Sequence, residues 1–182
     1  MNNKKVVKHY CSNKELYSEM CHYKAQYEQF KRNEITKEPR MSDAIGLAII
    51  QICTNLAVRA NFSGYTYKDE MIADAIENCV FAAKSFDPDK TNNPFAYFTM
   101  VAWNAFIRRI SKEKRQTYIK HKNFEASHLK FELEGELSTG SIGNEYSHDV
   151  IRQFEDKLAA DKIKKKNAVG LEKFVDESSN GT

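Results

Sequence analysis

Three carboxylates lie at helical spacing in the middle of the chain. Glu70, Asp74 and Glu77 stand at positions i, i+4 and i+7, which puts all three on one face of a helix. Carboxylates one turn apart can share a divalent metal ion, the chemistry of a metal-dependent nuclease. A solvated acidic stripe and a protein-binding surface use the same spacing, so the carboxylates alone leave all three interpretations open.

Aromatic residues and then basic residues follow these carboxylates along the chain. The aromatic set is Phe95, Tyr97, Phe98 and Trp103. The basic run consists of Arg108, Arg109, Lys112, Lys114, Arg115, Lys120 and Lys122. Glu113 is the one acid within that run, so pairing along the helix cannot neutralise it, and phosphate contact is favoured over a merely solvated surface. Aromatic rings continuous with such a run are typical of a platform on which unpaired bases stack.

Other signatures of an enzyme are missing from the sequence. It contains no phosphate-cradling glycine loop, no nucleophile elbow and no zinc-protease motif. The cysteines form no C-x-x-C pair, and a zinc site made of His9, Cys11, Cys21 and His22 would have a spacing that matches no common knuckle. We therefore expect a protein that is not an enzyme and that needs no metal or other cofactor.

The composition is typical of an ordinary globular protein. The chain has 182 residues, of which 41% are hydrophobic and 29% charged, and a net charge of +3. No apolar run approaches the roughly 18 residues that would span a membrane. The basic N-terminus is not followed by an apolar region, so it does not read as a secretory signal. We expect a cytoplasmic protein with reduced cysteines and no membrane partner.

Capping motifs and apolar periodicity predict an all-α fold with about four core helices. Ser12 and Glu15 form a capping box, and the apolar seam behind them is short, which favours packing within the protein over a coiled coil. A second helix starts at Ser42 or Asp43 and ends near residue 61. It is followed by a turn in which Gly64 is expected to have positive φ.

The third helix, about 67–86, carries the carboxylates. Its core stripe is predicted to consist of Ile72, Ile76, Cys79, Val80 and Ala83.

A fourth helix begins at Asn93-Pro94, an N-cap amide with proline at the first helical position, and continues past Arg115. It has too many apolar residues for one narrow stripe, so some are expected to face a ligand. Beyond 124 the signals weaken, although Leu129, Phe131 and Leu133 alternate as in a short strand. A short amphipathic helix is predicted from Ser147.

Four segments follow from these patterns. Residues 1–40 form an N-terminal amphipathic helix, and 41–123 form the central helical domain. Residues 124–167 are a variable segment with the short helix, and 168–182 are a flexible tail.

The order of the central features resembles that of a known family. An acidic helix is followed by A-x-x-F-D-P-D, by P-F-x-x-F with a tryptophan behind it, and then by basic residues. Over residues 45–124 this order is similar to the polymerase-binding and promoter-melting helical domain of bacterial sigma factors. Together with the length and the tail, it most resembles the late-transcription sigma factors of tailed bacteriophages, a divergent branch of that family.

The resemblance implies roles for the two central helices. The third helix would grip the coiled coil of the largest subunit of core RNA polymerase through Glu70, Ala73, Asp74, Ile76, Glu77 and Val80. The fourth helix would contact promoter DNA, partly single-stranded, through Phe95, Tyr97, Phe98, Trp103, Ala105, Arg108, Arg109, Lys112 and Arg115. An arginine that reaches a base edge contributes about 1–3 kcal/mol of discrimination.

The chain also departs from the pattern of ordinary sigma factors. Val101 and Ala102 stand where the family has a tryptophan doublet, and little sequence remains after Lys122 for a helix-turn-helix domain. The phage late factors share that second departure. In them a C-terminal tail docks on the DNA polymerase sliding clamp, which implies clamp contacts by Leu171, Phe174 and Val175. A phage co-activator is a further partner that the resemblance allows.

These features together predict a sigma factor for late-gene transcription in a bacterial host cell. It would bind core RNA polymerase, open an AT-rich promoter element and couple to a sliding clamp. Two alternatives remain at this point. One is a small metal-dependent nuclease that uses the carboxylates, and the other is a non-catalytic nucleic-acid-binding transcription adaptor with the same surfaces.

Overall fold

The protein is all-helical. A computed structural model describes the backbone of residues 11–133 and 142–178, and the side chains of 11–127 and 145–164. The helices in these ranges are α1 (Asn13–Lys31), α2 (Asp43–Ala57), α3 (Lys68–Ala83), α4 (Pro94–Leu133) and α5 (Ile142–Ser178). Within the same ranges there is no strand. The predicted fold class is therefore confirmed. No helix in the described part of the chain is long and apolar enough to cross a membrane.

The chain falls into two compact units, and the division lies within α4. The first unit is Met1–Ile110 and the second is Ser111–Thr182. α1 belongs to the first unit, where Leu16, Met20 and Tyr23 join the same buried cluster as α2 and α3. The prediction that the α1 seam packs within the protein is confirmed by this burial.

The predicted caps start three of the helices. The Ser12 hydroxyl accepts a hydrogen bond from the Glu15 amide at 3.4 Å, and the Ser42 hydroxyl accepts one from the Ile45 amide at 3.4 Å. The Asn93 side-chain oxygen accepts one from the amide of Ala96 at 3.0 Å, just ahead of the first turn of α4. Each bond satisfies one of the amide groups that the first turn of a helix leaves without a partner.

The core of the first unit gathers one face of each helix. α2 contributes the predicted positions, which are Ile45, Ile49, Ile52, Cys53 and Leu56. The buried stripe of α3 consists of Met71, Ala75, Cys79 and Ala83 at a spacing of four. Cys79 and Ala83 confirm the prediction, whereas Met71 and Ala75 are buried in place of Ile72, Ile76 and Val80. Ile72 and Ile76 are therefore only half-buried, and Val80 is exposed. From α4 come Phe98, Ala102, Ala105, Phe106 and Ile110.

Several boundaries and turns differ from the prediction. The strand expected at 129–133 is wrong, because α4 continues as a helix to Leu133. α2 ends at Ala57, earlier than expected, and Gly64 does not have positive φ. Among the described residues, the non-glycine residue with positive φ is Asn33, with φ 60°, just after the end of α1. α5 begins at Ile142, ahead of the predicted start at Ser147, and is longer than the short helix predicted there.

The second unit pairs the end of α4 with α5. The rings of Tyr118 and Phe154 stack with their centroids 4.6 Å apart, and the Tyr118 hydroxyl donates to Glu155 at 3.0 Å. The ammonium group of Lys122 lies 3.3 Å from the same carboxylate. These contacts lower the pKa of Glu155, the Tyr118 hydroxyl having the largest effect. Ile151, one turn before Phe154 on α5, is buried.

Candidate protein and nucleic-acid interfaces

The exposed face of α3 presents most of the residues predicted to bind polymerase. Glu70, Ala73, Glu77 and Val80 are all exposed, at a spacing that places them on one side of the helix. The Val80 side chain is 39% exposed, so the face combines two carboxylates with a small apolar surface. Such a mixed surface suits a protein partner, since apolar anchors surrounded by charge are typical of interfaces.

Two predicted polymerase contacts lie at the margin of that face. Ile76 is half-buried against the core of the first unit. Asp74 is also half-buried, and its carboxylate lies 3.1 Å from the guanidinium of Arg109 on α4. A residue predicted to bind protein is thus ion-paired with a residue predicted to bind DNA.

A second contact between the same helices lies one turn further along α3. The Arg108 guanidinium donates to the side-chain oxygen of Asn78 at 2.6 Å. Towards the other end of the seam, the Tyr97 hydroxyl donates to the carbonyl of Ala82 at 3.0 Å. Along this contact, the residue numbers on α4 increase from 97 to 109 while those on α3 decrease from 82 to 74. The two helices therefore run antiparallel where they meet.

The buried thiol of Cys79 also contacts α4, and the buried thiol of Cys53 on α2 lies beside it. The Cys79 thiol donates to the carbonyl of Phe98 at 3.6 Å. Its pKa is raised, mainly by a hydrogen bond with the neighbouring thiol of Cys53 and also by burial. The hydrogen bond from Cys79 to Phe98 therefore joins α3 to α4 through a buried thiol.

The aromatic residues of α4 differ widely in accessibility. Phe98 is fully buried and Ala105 is 2% exposed, so neither could contact DNA unless the core opened. Tyr97 is half-buried, with its ring packed edge-on against Phe86 at 5.3 Å between centroids. Trp103 is half-buried and rests edge-on against Phe62 at 4.8 Å.

An apolar hollow lies on the outward side of α4 in the first unit. It has a volume of about 370 Å³ and is lined by Phe95, Ala96, Thr99, Met100 and Trp103. Three of these residues, Ala96, Thr99 and Met100, were not predicted as site residues. Together with Phe95 and Trp103 they recur at spacings of three and four residues, which places all five on one side of a helix. This periodicity could have identified them from the sequence.

The apolar residues that suggested a ligand-facing surface on α4 are Phe98, Val101, Ala102, Ala105, Phe106 and Ile110. Val101 is half-buried and the other five are buried, so that expectation is wrong for these residues. Met100, which was not among them, is 62% exposed.

The basic run divides into engaged and exposed side chains. Arg108 and Arg109 bind α3, and Lys122 pairs with Glu125 and Glu155. The other four cations of the basic run are exposed, and they form no ion pair with another described side chain. They are Lys112, Lys114, Arg115 and Lys120. These four form a cationic segment of α4 within the second unit, suited to contact with phosphate groups.

The described residues offer no cluster for a metal ion. Within 11–127 and 145–164, no group of three or more His, Cys, Asp or Glu side chains converges. Cys11 and Cys21 are half-buried free thiols, and His9 lies outside the described residues. In the carboxylate row that a nuclease would need, Asp74 is already bound to Arg109.

The predicted clamp-binding residues fall at the end of the chain. Leu171, Phe174 and Val175 lie on the last turns of the α5 backbone, and their side chains are outside the described residues.

Comparison with known proteins does not assign the chain to a family. No protein-family model matches the sequence, and no curated protein matches it either. The functional argument therefore depends on the residues of this chain and on the order of its motifs.

Proposed function

We propose that the protein is a transcription initiation factor of the sigma type, active in late phage transcription in the bacterial cytoplasm. It binds the coiled coil of the largest subunit of core RNA polymerase through the exposed face of α3. It engages opened, AT-rich promoter DNA through α4. It is not an enzyme, and it adds specificity to an enzyme made by other chains.

The arrangement of α3 supports the polymerase-binding part of this proposal. Glu70 and Glu77 are exposed on the same face as Ala73 and Val80, and the described structure gives neither carboxylate a partner within the chain. A basic helical partner could bind both carboxylates and cover the small apolar area between them. Asp74 and Ile76 lie at the margin of this contact.

The observation that carries the DNA-binding part is the apolar hollow on α4, which is followed along the same helix by the cationic segment. The hollow has aromatic walls, from Phe95 and Trp103, and a volume of about 370 Å³, enough for an unpaired base to stack against a ring. Lys112 and Arg115 belong to the second unit, where their exposed side chains could contact backbone phosphates. The burial of Phe98 and Ala105 leaves them with a supporting role beneath this surface.

An AT-rich element suits a factor with these side chains. Val101 is half-buried and Ala102 fully buried where the family has its tryptophan doublet, so the melting surface is smaller than usual. Steps that unstack easily lower the cost of opening the duplex for such a factor. Coupling to a sliding clamp through Leu171, Phe174 and Val175 would raise the effective concentration of this protein at the promoter.

A reconstituted transcription assay tests the proposal. Core RNA polymerase supplemented with this chain alone should initiate selectively on a template with an AT-rich promoter. Absence of selective initiation would refute the sigma-type function. Magnesium-dependent cleavage of the template, lost in Asp74→Ala, would instead establish the nuclease alternative. Binding of nucleic acid without initiation would favour the adaptor.

Charge reversal tests the surface on α3. Glu70→Lys and Glu77→Lys should abolish co-purification with core polymerase, because both residues are exposed and their replacement leaves the core intact. Glu34→Lys is the matched control, since it reverses an exposed carboxylate in the loop after α1 and should have no effect. Unchanged co-purification of the two α3 variants would show that this face does not bind polymerase. Deleting residues 171–182 should abolish stimulation by the clamp and preserve basal initiation.

A further inference from the structure

A row of exposed side chains follows the outward side of α2 and ends at its C-cap. The spacing in this row alternates between three and four residues, which places its members on one face of the helix. The row, called the α2 seam below, consists of Ala44, Leu47, Gln51, Thr54 and Val58, all of them exposed. Leu47 is 59% and Val58 65% exposed, although both are large apolar residues. The opposite face of α2 is buried in the core of the first unit, so the α2 seam is a second face that this unit leaves uncovered.

The polar groups on this side of α2 form hydrogen bonds within the helix. The Thr54 hydroxyl donates to the carbonyl of Ile50 at 2.8 Å. The side-chain nitrogen of Asn55, beside the seam, donates to the carbonyl of Gln51 at 2.7 Å. Each of these donors is satisfied by its own helix without water. No residue between 43 and 59 is charged. A continuous surface of this kind is typical of a site that binds another protein surface.

A hollow at the start of α2 complements the end of the same helix. It has a volume of about 240 Å³, lies between α1 and α2, and is lined by apolar residues of α2 together with Glu15 and Glu19 of α1. Asp43, which is exposed, adds a carboxylate in the first turn of α2. At its other end α2 is followed by an apolar residue and a cation, Val58 and Arg59, and both are exposed. The hollow therefore has the apolar lining and the negative charge that would bind these two side chains.

The distance between the hollow and the helix end points to a second copy of the chain. They lie at opposite ends of α2, about 22 Å apart at 1.5 Å per residue, so the helix end cannot reach the hollow of its own chain. In an antiparallel pair of α2 helices related by a two-fold axis, each helix end meets the hollow of the other copy. Gln51 stands midway between Ala44 and Val58, so it faces its own copy at that axis.

We propose that the protein forms a homodimer through the α2 seam, with the two helices antiparallel and Gln51 at the two-fold axis. Val58 of each copy packs against Ala44 and Leu47 of the other, and Arg59 lies beside the carboxylates at the start of the other α2. A polar residue at the centre of an apolar seam fixes the register of such a pair. One helix from each chain covers less than the roughly 800 Å² per partner of a standard interface, so the dimer is weak and reversible. The inference goes beyond the proposed function and does not depend on it.

Analytical ultracentrifugation of the full chain at increasing concentration and low salt measures this association. The mean mass of the wild type should rise from 21.0 kDa towards twice that value. Leu47→Glu should remain monomeric, because it would bury an unpaired carboxylate in the dimer. Phe81→Glu is the matched control, since this ring on α3 is 62% exposed and lies outside the α2 seam; it should associate like the wild type. Thermal unfolding shows whether each variant is folded, and Val58→Glu carries the test if Leu47→Glu is not.

Charge reversal distinguishes a second copy from any other occupant. Asp43→Arg and Arg59→Asp each place like charges opposite one another in the proposed pair, so each variant alone should associate less than the wild type. An exposed ion pair changes a binding constant by about 1.4- to 5-fold, and the dimer contains two such pairs, so each variant should lose at least about twofold. An equimolar mixture of the two variants should associate more strongly than either alone, since each chain then supplies the charge that the other lacks.

The outcomes decide between the possible occupants of the α2 seam. A wild type that stays monomeric at every concentration overturns the proposal, and loss of polymerase co-purification in Leu47→Glu would then assign the seam to a different protein. Association that survives in folded Leu47→Glu, or a mixture that associates no better than its components, also overturns it. Loss of association in folded Leu47→Glu together with recovery in the mixture supports the dimer. Promoter-selective initiation is measured separately, so a failure of either proposal leaves the other standing.

Discussion

Replacing Phe62 by alanine tests whether the apolar hollow on α4 is supported from below. Phe62 lies in the loop between α2 and α3 and is 1% exposed. Its ring contacts Trp103 and Phe106 edge-on, at centroid distances of 4.8 Å and 4.9 Å. A Phe→Ala change in a core costs about 3–5 kcal/mol, and each edge-to-face contact contributes about 0.5–1.5 kcal/mol beyond area burial. We expect a loss of about 4 kcal/mol, against a domain stability of about 5–15 kcal/mol.

Urea unfolding followed by tryptophan emission measures this loss. Trp103 is the sole tryptophan, so its emission reports on the contact that the substitution removes. With an m-value of about 2 kcal/mol per molar urea, the midpoint should fall by about 2 M. The matched control is Phe81→Ala on α3, where the ring is 62% exposed and the expected change is within about 0.5 kcal/mol. A loss below about 1 kcal/mol for Phe62→Ala, or an equal loss for both variants, would contradict the packing described here.

Three further predictions concern single groups. Ser42→Ala should lower the free energy of unfolding by about 1 kcal/mol, because α2 loses its N-cap hydrogen bond; an unchanged urea midpoint would contradict this. The thiols of Cys53 and Cys79 should react with a thiol reagent only after unfolding, since both are buried, whereas the two half-buried thiols react in the native protein. The pKa of Glu155 is lowered from its ordinary value of 4.5, mainly by the hydrogen bond from the Tyr118 hydroxyl. The contacts of the Glu155 carboxylate therefore stabilise the fold at pH values above 4.5, and this stabilisation is lost as the pH falls through the lowered pKa. Glu155→Gln should therefore melt below the wild type at neutral pH and match it in strong acid.

The starts of α1, α2 and α4 were predictable because a few local atoms decide them, whereas α5 begins before the predicted Ser147. Ser12, Ser42 and Asn93 each place a side-chain oxygen within reach of an amide three residues on, whatever the rest of the chain does. Helix ends were harder to predict. Alternation over 129–133 favours a strand only where no helix already leads into it, and extending a formed helix costs far less than starting one. α4 accordingly continues to Leu133.

The accessibility of the α4 side chains could not be predicted, because apolar residues surround most of its circumference. The sequence offers Phe95, Phe98 and Trp103 as equivalent aromatic candidates. Only the packing of α4 against α3 and the Phe62 loop decides that Phe98 is buried, whereas Phe95 and Trp103 line a hollow. The contact of Asp74 with Arg109 could not be predicted either, because it joins two helices and no local sequence pattern specifies how these are rotated relative to each other.

The charge along α4 shows how this tertiary information changes a functional estimate. Counted from the sequence, seven cations between Arg108 and Lys122 face phosphate, which for a single strand predicts a salt slope of about −4.9. Arg108, Arg109 and Lys122 are engaged with other side chains, so the cationic segment of α4 is left with four exposed cations, and the expected slope falls to about −2.8. A slope near the smaller value would mean that these three cations keep their contacts when the protein binds DNA. A slope near the larger value would mean that neither the contacts between α3 and α4 nor the ion pairs of Lys122 hold in solution.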